Sequence, residues 1–186
     1  MTTLKSTPII DRIGFGIEAI GKVVEGRLNT YWGLSGERKV EETSTSTTYE
    51  KVVDGADIEF GGPFIPYIPW LKLYGSGYWF NHKHFSDREG WRLRLRLNPI
   101  KCMNADLIVW DDNKGDREIR LDISVRIPFD TWEDFKEAFR LADEKYVDRD
   151  LRKQMLVPVE RDWEVKVEKW TKNKVGGAIV EIKRGN

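Results

Sequence analysis

His82 and His84 stand two apart in a polar stretch, with Asp87 close behind. Alternate residues of an extended segment share a side, so two imidazoles and a carboxylate could begin a metal site. A third and fourth donor are not evident, and a solvated loop is the simpler account. No metal and no cofactor is expected. Cys102, the single cysteine, has no histidine in its local motif and lies beside a turn, so it makes a poor nucleophile and excludes an internal disulfide. Gly75-Ser76-Gly77 and Gly176-Gly177 lack the strand-to-helix setting and the Lys-Ser/Thr ending of a phosphate loop. The carboxylates are numerous, yet none pairs in a glycosidase-like constellation. Nothing specifies catalysis, and the chain is expected not to be an enzyme.

The informative chemistry is charge in rows. Gly90 to Pro99 alternates Trp91, Leu93, Leu95 and Leu97 with Arg92, Arg94 and Arg96. Arg117 to Pro128 sets Ile119, Leu121, Ile123, Val125 and Ile127 against Arg120, Asp122, Ser124 and Arg126. A period of two over this length means β-strand with one apolar and one charged face.

Similar strands are expected elsewhere. Ile13, Phe15, Ile17 and Ala19 alternate in a first strand, and Lys22 to Trp32 forms a second, with Glu25, Arg27 and Asn29 on one face. Ser35 to Asp54 reads as a long exposed connection with a hairpin around Thr43 to Thr48. Gly55 opens a short strand with Asp57 and Glu59 opposing Ile58 and Phe60. Pro63, Pro66 and Pro69 forbid regular pairing across the next turn. Trp70 to Phe80 follows, with Lys72 on the polar side, then the arginine strand, Ala105 to Trp110, a tight turn at Asp112-Asn113-Lys114-Gly115, and the strand from Arg117. About seven antiparallel strands with no helix between them indicate an all-β sheet or barrel built as a meander. Beyond Phe129, Asp130 or Thr131 can cap a helix whose stripe of Trp132, Phe135, Ala138, Phe139 and Ala142 reaches Glu144 and reads as a packing face. Two short alternating stretches follow, Trp163 to Trp170 and Ala178 to Ile182.

Composition narrows the function classes. The 186 residues carry 31 Lys and Arg against 31 Asp and Glu, a net charge of zero that offers no attraction to nucleic acid. No apolar run is long enough for a transmembrane helix. Two readings of the rows compete. In a soluble sandwich or calyx, a ligand- or partner-binding module, the apolar faces turn inward and the charges meet water. In an outer-membrane barrel the apolar faces meet lipid and the charges line the interior. An enzyme on a β scaffold is a distant third. Aromatics at strand ends, with Trp32, Trp70, Trp79, Trp91 and Trp110 as interface residues, favour the barrel. So do strands of roughly 9–11 residues. The mixed signs of Glu25, Arg27, Asp57, Glu59, Lys72, Arg92, Arg94, Arg96, Arg120, Asp122 and Arg126 suit an enclosed space where they neutralise one another.

Several segments, in order, resemble the C-terminal portion of the β-barrel domain of inverse autotransporters, the intimin and invasin family. They are Asn29-Thr30-Tyr31-Trp32-Gly33-Leu34-Ser35-Gly36, Tyr49-Glu50 with Gly55-Ala56-Asp57-Ile58-Glu59, Leu73-Tyr74-Gly75-Ser76-Gly77-Tyr78-Trp79-Phe80, and Pro158-Val159-Glu160-Arg161-Asp162-Trp163-Glu164-Val165. The resemblance spans roughly residues 13–167. It implies a barrel of about a dozen strands in a bacterial outer membrane. It also implies a chain that re-enters the pore through a helix and linker and carries an adhesive passenger to the cell surface. The expected organisation is a lead-in over 1–12, barrel strands over 13–130, helix and linker over 131–160, and a short β-rich tail over 161–186. Expected partners are outer-membrane lipid, the barrel assembly machinery that the resemblance implies, and further copies through open sheet edges. Seven strands fall short of a family-sized barrel, no signal peptide opens the sequence, and no adhesin follows Asn186. A truncated product, a small divergent relative or a partial sequence is therefore expected.

Overall fold

The computed structural model describes residues 11–65, 68, 70–127, 131–141, 151, 159–160 and 164–182. Its strands are β1 (Arg12–Ile20), β2 (Glu25–Gly33), β3 (Arg38–Glu42), β4 (Ser46–Val52), β5 (Asp54–Gly62), β6 (Leu71–Asn81), β7 (Arg88–Leu97), β8 (Met103–Asp112), β9 (Gly115–Val125), β10 (Val167–Asn173) and β11 (Ile179–Ile182). One short helix, α1 (Trp132–Ala138), follows β9. The fold is all-β, as the alternation requires.

Seven strands form one antiparallel sheet in the order β1-β2-β5-β6-β7-β8-β9. It is a meander interrupted once, because β3 and β4 leave it as a hairpin. β1 and β9 are its two ends and do not pair with each other, so the sheet is an open portion of a barrel rather than a closed one. Directly opposed residues in an antiparallel pair share a face, so register carries each row across the sheet. Arg94 lies opposite Tyr74 and Ile108, Arg27 opposite Glu18 and Glu59, and Asp106 opposite Arg96 and Asp122. These belong to one face. The other face carries Ile13, Phe15, Ile17, Leu28, Ile58, Leu73, Leu93, Leu107, Ile119 and Leu121.

Burial is inverted relative to a water-soluble sheet. Phe15 is 60% exposed and Ile119 70%, while Glu25 is 2% and Arg27 7% exposed. Charged side chains are almost never that deeply buried unless paired, and a broad run of exposed apolar residues marks an interaction surface, for protein or for membrane.

Ser35 to Asp54 holds the β3–β4 hairpin, and the tail joins it in a second sheet ordered β11-β10-β4-β3. β4 thus pairs with β10 of the tail on one side and with β3 on the other, and neither strand of the hairpin pairs with the strands that flank it in sequence. The turn between β6 and β7, the turn between β8 and β9 and this small sheet lie at one end of the large sheet. The turns joining β1 to β2, β5 to β6 and β7 to β8 lie at the other, together with α1.

Thr131 caps α1, its hydroxyl accepting from the Asp134 amide at 3.1 Å, with Glu133 and Asp134 in the first turn. The helix stops at Ala138, short of Glu144, where the Phe139 amide closes on the Lys136 carbonyl. The helix stripe packs only in part: Ala138 on it is buried, while Trp132 is 68% exposed and stacks on Phe135. Ala138 and Arg140 carbonyls accept from Cys102 and Lys101, tying α1 to the turn between β7 and β8. Expectations resting on Pro66, Tyr67, Pro69, Pro128, Phe129, Asp130, Ala142, Glu144, Pro158 and Arg161 to Trp163 lie outside the described residues.

Candidate functional site: a charged face gripped by the returning chain

Six strands bring the charged rows together. Arg27 on β2 reaches Glu25 at 2.9 Å, Glu59 on β5 at 2.8 Å, and Glu18 on β1. Arg94 on β7 shares Glu59, at 2.5 Å. Arg96 holds Asp106 of β8 in a two-pronged bond, Nε at 2.8 Å and a terminal nitrogen at 2.7 Å, which the planar guanidinium fork favours. Lys72 of β6 and the Tyr74 hydroxyl meet Glu25 at 3.2 and 2.8 Å. The Tyr74 ring lies beneath three guanidinium groups, those of Arg27 (5.1 Å), Arg94 (4.6 Å) and Arg96 (5.9 Å). Such positions suit cation–π attraction. Asp57 accepts from Asn29 at 3.0 Å and from the Tyr31 hydroxyl at 2.6 Å.

The residue that joins this network from outside the sheet is Glu160. It lies beyond α1, on the segment that comes back over the charged face. Its carboxylate meets Arg94 at 2.5 Å and Arg96 at 2.6 Å, and lies 3.6 Å from Arg27. Its carbonyl accepts from Asn29 at 3.4 Å. A Cβ at Gly16 would collide with Asn29 Oδ1 and stand 3.2 Å from the neighbouring Val159, so glycine in β1 leaves room first for Asn29 and then for the crossing. Further on, the Glu164 carbonyl accepts from Arg12 at 3.0 Å, and the Lys166 carbonyl from the Val53 amide at 3.2 Å. The segment then becomes β10. It therefore crosses the charged face from the α1 end towards the end that bears the small sheet. Without it, several buried guanidinium groups would lose a counter-charge, and an uncompensated buried charge is costly.

Not every expected residue enters this cluster. Arg92 shares the face and lies 5.8 Å over the Tyr78 ring. Arg120 and Asp122 share it by register but pair with each other at 2.9 Å while half exposed, because β9 is the sheet's last strand. Arg126 lies just past β9 and is exposed. Among the aromatics, Trp32, Trp79 and Trp91 stand exposed on the apolar face near the end that bears the small sheet. Trp70 is half-buried in the turn before β6. Trp110 differs from expectation: it lies opposite Arg92 and Glu118, which puts it on the charged face, with Arg120 5.6 Å over its ring.

Residue types alone do not single out Glu160, one glutamate in a charged linker. The signal that could have raised it is its place beside Val159 within a segment bound to follow the last strand. His82 and His84 also gain unexpected neighbours, Glu168 and Glu181 from the tail, with nearest oxygens at 3.3 to 3.8 Å. These are hydrogen-bonding and ion-pair distances, and Lys114 holds Glu181 at 2.5 Å. No group fit to hold a metal occurs among the described residues.

No curated protein matches the chain. A solved chain reported under "Unveiling the Mechanism Behind the in-meso Crystallization of Membrane Proteins" has the same fold, with a TM-score of 0.66. It is 19% identical, and the match covers 85% of this chain and 67% of that one. The family model of the inverse autotransporter β-domain matches residues 3–171, from before β1 into β10, and so takes in both the large sheet and the returning segment. The chain belongs to the inverse autotransporter β-domain family.

Proposed function

We propose that the large sheet is part of a bacterial outer-membrane barrel with its apolar face in lipid and its charged face lining the interior, and that the returning segment is the conduit through which a C-terminal passenger of adhesion type is exported and then held. The observation that carries this is Glu160 seated among Arg94, Arg96 and Arg27, because it supplies counter-charge to the wall from the thread that crosses it. Family membership supports the location, and so do the strand lengths: β6 to β9 hold 10 or 11 residues each, enough to cross hydrocarbon at a tilt. No helix among the described residues is long and apolar enough to cross a membrane.

In this reading Trp32, Trp79 and Trp91 mark the bilayer interface on the side where the small sheet stands, which is then the cell surface. A shallow groove between Leu28, Ile58, Trp79 and Trp91, opened by Gly77, would take an acyl chain. The edges of β1 and β9 call for further strands or a second copy, and insertion calls for the barrel assembly machinery. The soluble-module alternative would leave Phe15, Leu93, Ile119 and Leu121 in water.

Heat-modifiable migration in SDS gels, together with extraction from membranes only by detergent, is the expected result. Recovery in buffer without detergent as a stable monomer would overturn the reading. Glu160→Ala is expected to make residues 159–166 accessible to added protease while the sheet persists.

A further inference from the structure

Glu168, on β10, is 1% exposed, the lowest value of any charged residue among those described. Its two oxygens accept consecutive backbone amides of the turn between β6 and β7, Lys83 at 3.1 Å and His84 at 2.9 Å, and His84 Nδ1 lies 3.3 Å away. Successive amides aimed at one carboxylate make a small anion cradle. Two residues on, the Trp170 ring lies tilted against the His84 ring, with centroids 4.1 Å apart.

The large sheet holds that cradle in shape. Asp87 accepts from the His82 amide and from the Trp79 indole, both at 3.0 Å, and Lys114 braces Ser86 at 3.1 Å. β10 meanwhile pairs with β4 across seven positions that are largely polar, Thr171 facing Thr48 and Asn173 facing Ser46. Such strands specify register weakly, since a slip of two residues keeps each side chain on its own face. After such a slip, Lys166 or Trp170 would stand where the cradle requires an acceptor.

We propose that Glu168 is a positioning residue that sets the register of β10. The β6–β7 turn accepts one carboxylate on the returning strand, and the β3–β4 hairpin then templates β10 and β11 as the first ordered piece of the exported segment. The word "exported" rests on the function proposed above; the register claim does not.

The test uses the full chain refolded in detergent, in a Cys102→Ser background, with paired cysteines oxidised and mapped by mass spectrometry. Thr48→Cys with Thr171→Cys reports the native register, since their hydroxyls lie 3.0 Å apart. Thr48→Cys with Lys169→Cys or with Asn173→Cys reports a slip of two in either direction. Only the native pair is expected to cross-link. Adding Glu168→Ala is expected to reduce that cross-link at least about fivefold, with or without slipped products, because two buried amides lose their acceptor. Trp170→Phe keeps the acceptor and is expected to change it less than about twofold. Native cross-linking that survives Glu168→Ala, or falls equally in Trp170→Phe, would overturn the proposal. Failure of the export reading would appear separately, as loss of heat-modifiable migration in the chain with Glu168 intact.

Discussion

The two sheets obey the same alternation and spend it differently. In the seven-stranded sheet the buried side is the charged one, closed over by Glu160, and the apolar side stands open. In the four-stranded sheet burial is local: Glu168 and Trp170 turn onto the β6–β7 turn, while Ile179, Val180 and Ile182 of β11 remain exposed. In the function proposed above, lipid is a second solvent for the apolar side of the large sheet. The small sheet has no such solvent and is held by specific polar contacts at its rim. Period two alone therefore does not tell inside from outside; what lies against each face does.

The largest effect is expected at the centre of the charged face. Arg27→Ala leaves Glu18, Glu25 and Glu59 without their shared cation. It is expected to cost about 3–5 kcal/mol in urea unfolding followed by gel mobility, as for breaking other buried pairs. A cost below about 1 kcal/mol would mean that water screens this face fully. Leu93→Arg, on the opposite face, is expected to cost about 2–4 kcal/mol in a bilayer, the range for a charge in the middle of the lipid face of a barrel. A neutral result there would remove lipid from that side and collapse the contrast between the sheets.

A smaller, pH-dependent effect is expected at the rim. Burial pushes the His82 imidazole below its usual range, helped by Lys114 and Arg88 and opposed by Glu168 and Glu181. The unfolded group titrates near about 6.5. Above that pH both states are neutral and His82 contributes nothing. As pH falls from about 6.5 towards the lower folded value, the unfolded state takes up the proton first, so stability is lost across that window. Protease cleavage after β10 should therefore rise on acidification, and His82→Gln should flatten the rise. An unchanged pH profile in the variant would assign the effect elsewhere. Smallest of all, Arg120→Ala should shift stability by no more than about 1 kcal/mol, because its partnership with Asp122 is half exposed. A larger loss would place an unseen neighbour against β9.

Much of the fold was legible in the chain. Strands, turns and the membership of each face follow from alternation in Ile13 to Ala19, Trp91 to Leu97 and Ile119 to Ile127, because successive side chains in an extended chain must point oppositely. Trp110 shows where that stops. Its face follows from pairing with Arg92, and the short stretch around it alternates too weakly to reveal it. The partnership of β4 with β10 was equally hidden, since neither polar strand carries a mark of a partner so far along the sequence.

The sequence by itself determined that this protein is a meander of two-faced strands, with arginines and carboxylates kept together on one side. Only tertiary structure decided which side is covered and by what. A pattern of period two reads the same when turned inside out, so nothing local distinguishes a buried charge from a solvated one. The distinction came when Glu160 and Glu168, far from their partners in sequence, were brought back to the guanidinium groups and amides that bind them.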